Sequence, residues 1–547
     1  MKYLLKGGIV ADGERREAFR ADVLTENGII AESGDIDDRG DAVVLDCSGM
    51  VITAGFVDAH MHVESSMVLP SAFGAAVLPW GTTSVIADPH EIVNVAGAAG
   101  LDDFLNMTEK APINVFASVP SCVPATPLDT NGAGRFTAED MRPFAGRRGV
   151  VGLGEVMDWG SVVRRDGDMM AKIMLFAGKT ADGHTAGMPD DLLPDYAAAC
   201  IRNDHECTDG EGLIKRYLAG LNVYIREGSA AHNADVLLRA VKEYGADTSR
   251  FALCTDDKHL ADIAREGHIS HIAAMARQLG FGIGDTARMA SYNACRYYGL
   301  ERRGNIRPGY IADIVVTDEN FSAIRYVLKD GELVAENAKP LFDVDKYIDK
   351  GRVFANTVKM RKFTAEDFVV PERLRGTALG LVDGQILTER RAAERCDRTR
   401  LNMLATAERH GKNGNLSVCL LDGYGIRNGA VASTVSHDSH NAVCAGDNGA
   451  DMAVALNRAA ETGGGYVAVS GGRVVAEIPL PAYGLMSVES AAETARLTAA
   501  FEEKVYAMGV NRGIDAMMTL SFAALPVIPR LRLLDTGLYD VEEGRFL

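Results

Sequence analysis

The sequence lacks both long apolar runs and an excess of positive charge. No run of about 18 apolar residues occurs, so we expect neither a membrane-spanning segment nor a membrane partner. The chain has 57 lysines and arginines against 75 aspartates and glutamates, which gives a formal charge of −18 at pH 7. Such an acidic chain lacks the positive field that attracts a phosphate backbone, so we expect no nucleic acid partner.

Cys-x-x-Cys pairs are also absent, and the nine cysteines are scattered along the chain. This pattern argues against a thiolate zinc site and a disulfide framework, and it favours a reducing cytoplasm. The opening residues, MKYLLKGGIVADGE, predict a first strand rather than a signal peptide. A chain of 547 residues is too long for one hydrophobic core, so we expect several domains.

Strand and helix patterns divide the chain into regions. Short strand-like segments flank a central region, and hairpin-turn pairs mark them at Asp12-Gly13, Asn27-Gly28 and Asp330-Gly331. The central region alternates apolar strand candidates with helical patterns, and its eight candidates predict a (β/α)8 barrel. We therefore predict an α/β protein with this barrel inserted in a split β-sandwich, followed by a C-terminal α+β domain. The predicted division is 1–53 and 301–350 for the sandwich, 54–300 for the barrel and 351–547 for the C-terminal domain.

Polar residues end nearly every strand candidate of the barrel region. In such barrels the carboxyl ends of the strands surround the active site. The stretch GFVDAHMHVESSM (55–67) carries His60 and His62, which point to the same face of a strand. Burying two adjacent imidazoles is costly unless a group such as a divalent metal holds them. Taken alone, the pair leaves a metal site and a structural role open.

Later strand ends supply further ligand types. The four candidates are Glu155, His184, His205 and Asp256. Together with His60 and His62 they form a mixed nitrogen and oxygen set, which suits zinc, iron or manganese better than calcium or magnesium. Six ligands are more than one catalytic metal needs, and they suit two ions about 3.5–4 Å apart.

With these motifs the chain resembles the amidohydrolase superfamily, and within it the adenine deaminases of the bacterial type. The motifs are GFVDAHMHVESSM, ADPHE (87–91), GLGEVM, DGHTAG, DHECTD, REGSA (226–230), NIRPGYIADIVV and the C-terminal SHDSHN (436–441). The resemblance implies hydrolytic deamination of adenine to hypoxanthine and ammonia by a metal-activated hydroxide, in cytoplasmic purine salvage. It also implies that residues 351–547 form a domain special to adenine deaminases. We expect a homo-oligomer, a dimer, with adenine as its small-molecule partner.

The resemblance assigns roles to the six ligand candidates. Glu155 would bridge two divalent ions, which would be manganese or iron, with zinc as the alternative. Many relatives use a carbamylated lysine at this position, and GLGEVM contains no lysine. His60, His62 and Asp256 would hold one ion, and the other would be held by His184 and His205. Asp256 would also be catalytic, because it is placed to take a proton from the hydroxide and pass it to the leaving ammonia.

Other polar residues leave alternatives open. Glu64, His90 and Arg226 are candidates for contacting the substrate or for supporting the ligands. Their alternatives are structural hydrogen bonds and, for Arg226, a salt bridge to a barrel carboxylate. Asp257 is predicted to point away from the site. His268 and His271 lie in a helical pattern outside the strand ends and are predicted to be structural.

The SHDSHN segment has three open interpretations. Its polar residues include His437, Asp438 and His440. They suit a loop that closes over a ligand, a structural turn or a separate metal site.

Two other functions remain as alternatives. The first is another amidohydrolase reaction, on a cyclic amide or a different aminated base. The second is a scaffold without catalytic activity, which is expected to lack ligands that this chain retains.

Overall fold

The computed structural model describes residues 1–37, 40–229, 231–397 and 400–547. Ala230, the last residue of the REGSA motif, therefore lies outside the described residues.

Strands from both flanks of the barrel pair in one nine-stranded sheet. The strands before the barrel are β1 (Tyr3–Asp12), β2 (Glu17–Glu26), β3 (Ile29–Gly34), β4 (Val43–Asp46) and β5 (Val51–Ala54). Those after it are β14 (Ile314–Thr317), β15 (Ile324–Lys329), β16 (Glu332–Glu336) and β17 (Lys339–Pro340). The order is β17-β16-β15-β14-β5-β1-β2-β3, with β4 beside β1. The antiparallel pairing of β14 with β5 joins the two flanks, while the domain boundaries stay a prediction.

Eight parallel strands lie between the flanks. They are β6 (Phe56–Met61), β7 (Thr82–Ala87), β8 (Asn114–Val119), β9 (Val150–Val156), β10 (Thr180–Gly183), β11 (Asn203–Asp204), β12 (Asn222–Arg226) and β13 (Phe251–Cys254). A bridge between Ala181 and Ile201 joins β10 to the segment entering β11, and one between Met61 and Asp256 closes the ring. The eight strands thus form a barrel, as the sequence predicts.

The chain passes from the sheet into the barrel at Gly55. The first strand candidate, TAGFVDAHMH, is divided there between the end of β5 and β6. A Cβ atom at Gly55 would lie only 2.2 Å from Oγ1 of Thr83, so only glycine lets the backbone pass this close to the Thr83 side chain.

Helices surround the barrel. They are α1 (Pro70–Val77), α2 (His90–Thr108), α3 (Ala138–Met141), α4 (Trp159–Val163), α5 (Gly167–Leu175), α6 (Leu193–Ala198), α7 (Gly210–Leu218), α8 (Ala234–Tyr244), α9 (Leu260–Glu266), α10 (Ile269–Gln278), α11 (Ile283–Ala287) and α12 (Asn293–Tyr297). In α8 the buried residues Leu237, Leu238 and Val241 follow helical spacing, so one apolar face packs on the barrel. Gly245 then ends α8 in the left-handed region.

The C-terminal region forms an eight-stranded sheet with a small sheet beside it. Its strands are β18 (Thr377–Leu381), β19 (Thr388–Ala392), β20 (Asn402–Ala407), β21 (Leu416–Asp422), β22 (Ala430–Ser433), β23 (Ala442–Gly446), β24 (Gly465–Ser470), β25 (Arg473–Pro479), β26 (Leu531–Leu534), β27 (Gly537–Asp540) and β28 (Arg545–Phe546). Its helices are α13 (Gly449–Glu461), α14 (Ala491–Ala507) and α15 (Met518–Phe522). Helix α14 lies against both β25 and barrel helix α9, so this region packs directly on the barrel.

In the described part of the chain no helix combines the length and apolar character needed to traverse a bilayer.

A buried carboxylate organises the loop between β20 and β21. Glu408 accepts the backbone N–H groups of His410, Lys412, Asn413 and Gly414. Nε2 of His410 in turn lies 2.9 Å from the carbonyl oxygen of Ser439. The loop therefore supports the SHDSHN segment.

We expect Glu408→Gln to destabilise the protein by about 1–3 kcal/mol at pH 7, because four backbone N–H groups, one buried and three part-buried, lose their charged acceptor. Burial opposes ionisation, but the four N–H groups outweigh it and hold the pKa of Glu408 below its ordinary value of 4.5. The carboxylate's contribution is therefore present above pH 4.5 and is lost as the pH falls through the lower folded pKa. Urea unfolding in EDTA at pH 7 and at pH 3.5, beside the exposed control Glu461→Gln, measures both effects. Equal destabilisation at the two pH values would contradict this account.

Candidate metal centre

Six side chains converge at the carboxyl ends of the barrel strands. Their positions are His60 in β6, His62 directly after it, Glu155 next to last in β9, His184 after β10, His205 after β11, and Asp256 two residues after β13. Four of the six are buried, and His184 and Asp256 are half-buried. The structure thus brings together every ligand candidate named from the sequence, while their roles stay a prediction.

Glu155 lies at the middle of the group. Its Oε2 atom is 3.2 Å from Nε2 of His205 and 3.9 Å from Nε2 of His60. Its Oε1 atom is 3.8 Å from Nε2 of His62. Ligand atoms of Glu155, His184 and His205 all lie within 4.8 Å of one another. One carboxylate therefore faces both halves of the group.

Asp256 completes the half that holds the paired histidines. Its Oδ1 atom is 3.1 Å from Nε2 of His62 and 3.6 Å from Nε2 of His60. Bonds of about 2.1 Å from a tetrahedral ion to its ligands place those ligands about 3.4 Å apart, which is close to these separations.

The ring nitrogens are arranged as metal ligands require. Nδ1 of His60 lies 3.1 Å from the carboxylate of Asp182, and Nδ1 of His62 lies 2.9 Å from the carbonyl oxygen of Asp88. These contacts orient both rings with Nε2 towards the centre. Within the described chain, the buried Nε2 atoms of His60 and His205 have no hydrogen-bond partner. The donor set and its orientation fit divalent metal ions.

The local field favours positive charge. Burial lowers the pKa of the His60 and His62 rings, but nearby carboxylates, Asp182 for His60 and Asp256 for both, outweigh burial and hold these pKa values well above the usual range. Burial likewise opposes ionisation of Glu155, yet contacts with His205 and His90 hold its pKa well below normal. A site that retains protons so strongly also attracts cations.

Comparisons with known proteins identify the family of this chain. Residues 51–353 match the model of the amidohydrolase family, and residues 370–545 match the model of the adenine deaminase C-terminal domain. The chain is 38% identical to adenine deaminase 2 of Carboxydothermus hydrogenoformans over 550 residues, which cover 98% of this chain and 95% of that protein. The chain belongs to the adenine deaminase family.

Two other members of the family are similar to this chain in sequence over nearly its whole length. The adenine deaminase of Bacillus velezensis is 37% identical over 98% of this chain and 95% of its own. That of Nitratidesulfovibrio vulgaris is 41% identical over 92% of this chain and 89% of its own. Amidohydrolases use divalent metals, and the clusters of histidines and carboxylates fit that use.

Beyond the six ligand candidates, three further barrel residues named from the sequence occupy distinct positions in this adenine deaminase fold. His90 begins α2, and its Nδ1 lies 3.2 Å from Oε1 of Glu155. Arg226 ends β12, where Nη1 forms a salt bridge of 2.8 Å to Oδ2 of Asp256 and another to Glu206. Glu64 is buried, and its Oε1 accepts the N–H of Ile92 at the start of α2. Burial and the charge of Glu91 raise the pKa of Glu64 to about 8.

The SHDSHN segment lies in the loop between β22 and β23 and reaches the barrel. His437 and Asp438 line the same cavity as His62 and Glu155. His440 is fully buried, and burial lowers its pKa well below normal.

The prediction for Asp257 was wrong. Its Oδ1 accepts a hydrogen bond from Ser65, and ligand atoms of His62, Asp256 and Asp257 lie within 4.8 Å of one another. Asp256 has φ 57°, so the chain leaves the extended conformation there and strand alternation does not apply.

Two carboxylates that contact the ligand candidates were not predicted from the sequence. Glu206 lines the cavity, with Oε1 3.5 Å from Nε2 of His205 and 3.7 Å from Nε2 of His184. It directly follows a ligand candidate at a strand end, and this signal was available in DHECTD. Asp182, which contacts His60, precedes the ligand candidate His184 by two residues, and this is the spacing that puts two side chains on one face of an extended segment.

We expect Asp182→Asn to weaken divalent metal binding by about 10–100-fold, because the charge that orients His60 and increases its basicity is lost. The hydroxyl of Tyr298 also donates to Asp182, at 2.9 Å, so the position of the side chain is kept. Titration of metal-free protein with Mn²⁺ against a chelator measures the change. Asp235→Asn, on the exposed side of α8, is the control. Unchanged affinity in Asp182→Asn would exclude this supporting role.

Proposed function

We propose that the protein hydrolyses adenine to hypoxanthine and ammonia, in purine salvage in the cytoplasm. The observation that carries the proposal is a cavity of about 620 Å³ lined by the ligand cluster and by residues of the C-terminal region. The barrel side contributes mainly polar residues: His62, His90, Glu155, His184, Glu206, Arg226, Asp256 and Asp257. The C-terminal region, which matches the model specific to adenine deaminases, contributes the opposite wall.

We assign two divalent ions, manganese or iron with zinc as the alternative, to the six ligand candidates. His60, His62 and Asp256 would hold one, His184 and His205 the other, and Glu155 both. Such a pair lowers the pKa of a water molecule to near neutrality and so supplies a nucleophile.

Asp256 moves the protons in this proposal. It takes the remaining proton of the attacking hydroxide and passes it to the amino group, which leaves as ammonia, while a ring nitrogen takes up the proton that the water lost. Burial opposes ionisation of Asp256, but contacts from His60 and His62 and the charge of Arg226, which lies against Oδ2, hold its pKa well below normal. Arg226 thus holds Asp256 in place at the wall of the cavity.

The wall from the C-terminal region suits a flat aromatic base. The ring of Phe522 stacks on His437, with centroids 4.6 Å apart and planes 14° from parallel. Apolar side chains continue this wall: Ile386, Leu387, Leu525, Val527 and Ile528. An aromatic and aliphatic wall favours stacking on a purine and excludes water from the reacting side.

Release of ammonia from the aminated bases, together with ring opening of hydantoin, which releases no ammonia, tests the proposal. We expect kcat/KM for adenine to exceed that for guanine, cytosine and hydantoin by at least about 100-fold, since a buried polar site rejects poorly paired groups strongly. Faster hydrolysis of hydantoin would instead favour the cyclic-amide alternative. Sedimentation of the same preparation tests the further proposal of a homodimer.

A further inference from the structure

A second group of ligating side chains lies where α2 meets the SHDSHN segment. It consists of His90 and Glu91 at the start of α2 and of His437 and Asp438 from the C-terminal region. Ligand atoms of His90, Glu91 and His437 lie within 4.8 Å of one another, and all three residues are buried. Asp438 is 4% exposed, so all four groups are removed from solvent.

The separations in this group are those of ligands around an ion. Nδ1 of His437 is 3.8 Å from Oε1 of Glu91 and 3.8 Å from Oδ1 of Asp438. Nε2 of His90 is 3.7 Å from the same Oδ1 atom. These distances are too long for hydrogen bonds, yet they approach the spacing of about 3.4 Å around a tetrahedral ion.

Several atoms of the group lack ordinary partners. Nε2 of His90, Oε2 of Glu91 and Oδ2 of Asp438 are buried, and among the residues that the structure describes they have no hydrogen-bond partner. Two buried carboxylates with unsatisfied oxygens are costly unless a cation compensates them.

His440 lies beside Glu91. Its Nδ1 accepts the N–H of Ser436 at 3.1 Å, so the neutral ring carries its proton on Nε2. Nε2 lies 3.6 Å from Oε2 of Glu91, which is too long for a hydrogen bond. Oγ of Ser65 lies 3.1 Å from Oε1 of Glu91, within hydrogen-bond distance. A polar contact of this kind to a carboxylate is typical of a metal ligand.

We propose that His90, Glu91, His437 and Asp438 bind a third divalent ion. The set shares no residue with the six ligands of the proposed function, so the inference does not depend on them. Two imidazoles and two carboxylates suit zinc, manganese or iron. Because two ligands come from the barrel and two from the C-terminal region, the ion joins these regions at the wall of the cavity.

Metal analysis of the full-length protein loaded with Mn²⁺ tests the proposal. We expect three ions per chain in the wild type and two in Glu91→Gln and in His437→Gln. The control is His271→Gln, in the half-exposed part of α10, which keeps three. Circular dichroism checks that each variant is folded. Asp438→Asn removes the charge of a further ligand in this set but keeps the size of the side chain, so it is the more conservative variant.

The results of the metal analysis distinguish failure of the third site from failure of the proposed two-ion centre. Two ions in the wild type, unchanged in Glu91→Gln and His437→Gln, would overturn the third site and leave the proposed function standing. Loss of every ion from a folded Glu91→Gln variant would also overturn it, because the cluster would then only support the other centre. Anomalous scattering from Mn²⁺-loaded crystals gives an independent check, with a third peak expected between α2 and the SHDSHN segment.

Discussion

Replacing Glu155 with alanine is expected to remove both bound metal and adenine deamination. Its two oxygens face His205, His60 and His62, so this one carboxylate contacts both halves of the centre. A pair of ions contributes several kcal/mol to the transition state, so kcat should fall by about 10³-fold or more. Metal analysis and ammonia release on the same sample measure the two losses together.

Two further variants test whether the losses in Glu155→Ala come from the missing carboxylate at this position. Glu155→Gln keeps the size of the side chain but not its charge, and we expect it to lose metal nearly as completely. Glu211→Gln, on the exposed face of α7, should behave as the wild type. Full activity in Glu155→Ala would remove the proposed mechanism.

Asp256→Asn should lower kcat by about 10²–10⁴-fold, the range for losing a group that transfers protons. Asparagine keeps an oxygen near His62 and Arg226, so part of the metal should remain bound. The loss should therefore exceed what the change in metal content explains. Steady-state kinetics at saturating Mn²⁺, with metal content measured in parallel, separates these contributions.

A kcat within threefold of the wild type, with metal retained, would assign proton transfer to another residue. In that case Glu206 would be the next candidate, because it lines the same cavity and contacts Arg226. Asp235→Asn serves again as the control for the loss of a carboxylate.

The ligand positions were predictable because they follow from one geometric rule. In a parallel barrel, residues at the carboxyl ends of the strands gather at one rim, however far apart they lie in the sequence. This rule places His60 beside His205 although β11 contains only two residues. A strand of two residues is hard to recognise in the sequence, but its place in the barrel still determines where its carboxyl end lies.

Contacts that depend on loops were not predictable in the same way. The left-handed conformation of Asp256 turns Asp257 towards Ser65, and no periodic pattern reveals this. The approach of His437 to Glu91 depends on how two separate regions pack. Sequence spacing describes geometry within one element, and tertiary packing determines which elements meet.

The pairing of β14 with β5 has a consequence for synthesis on the ribosome. The edge of β5 that pairs with β14 stays unpaired until a strand about 260 residues later has been synthesised. At ordinary translation rates the synthesis of those residues takes roughly 13–50 s. Throughout that time a row of unpaired amide and carbonyl groups can recruit another nascent chain. Fragments that stop before residue 314 are therefore expected to self-associate, and the final folding step is the return of a distant segment to the beginning of the chain.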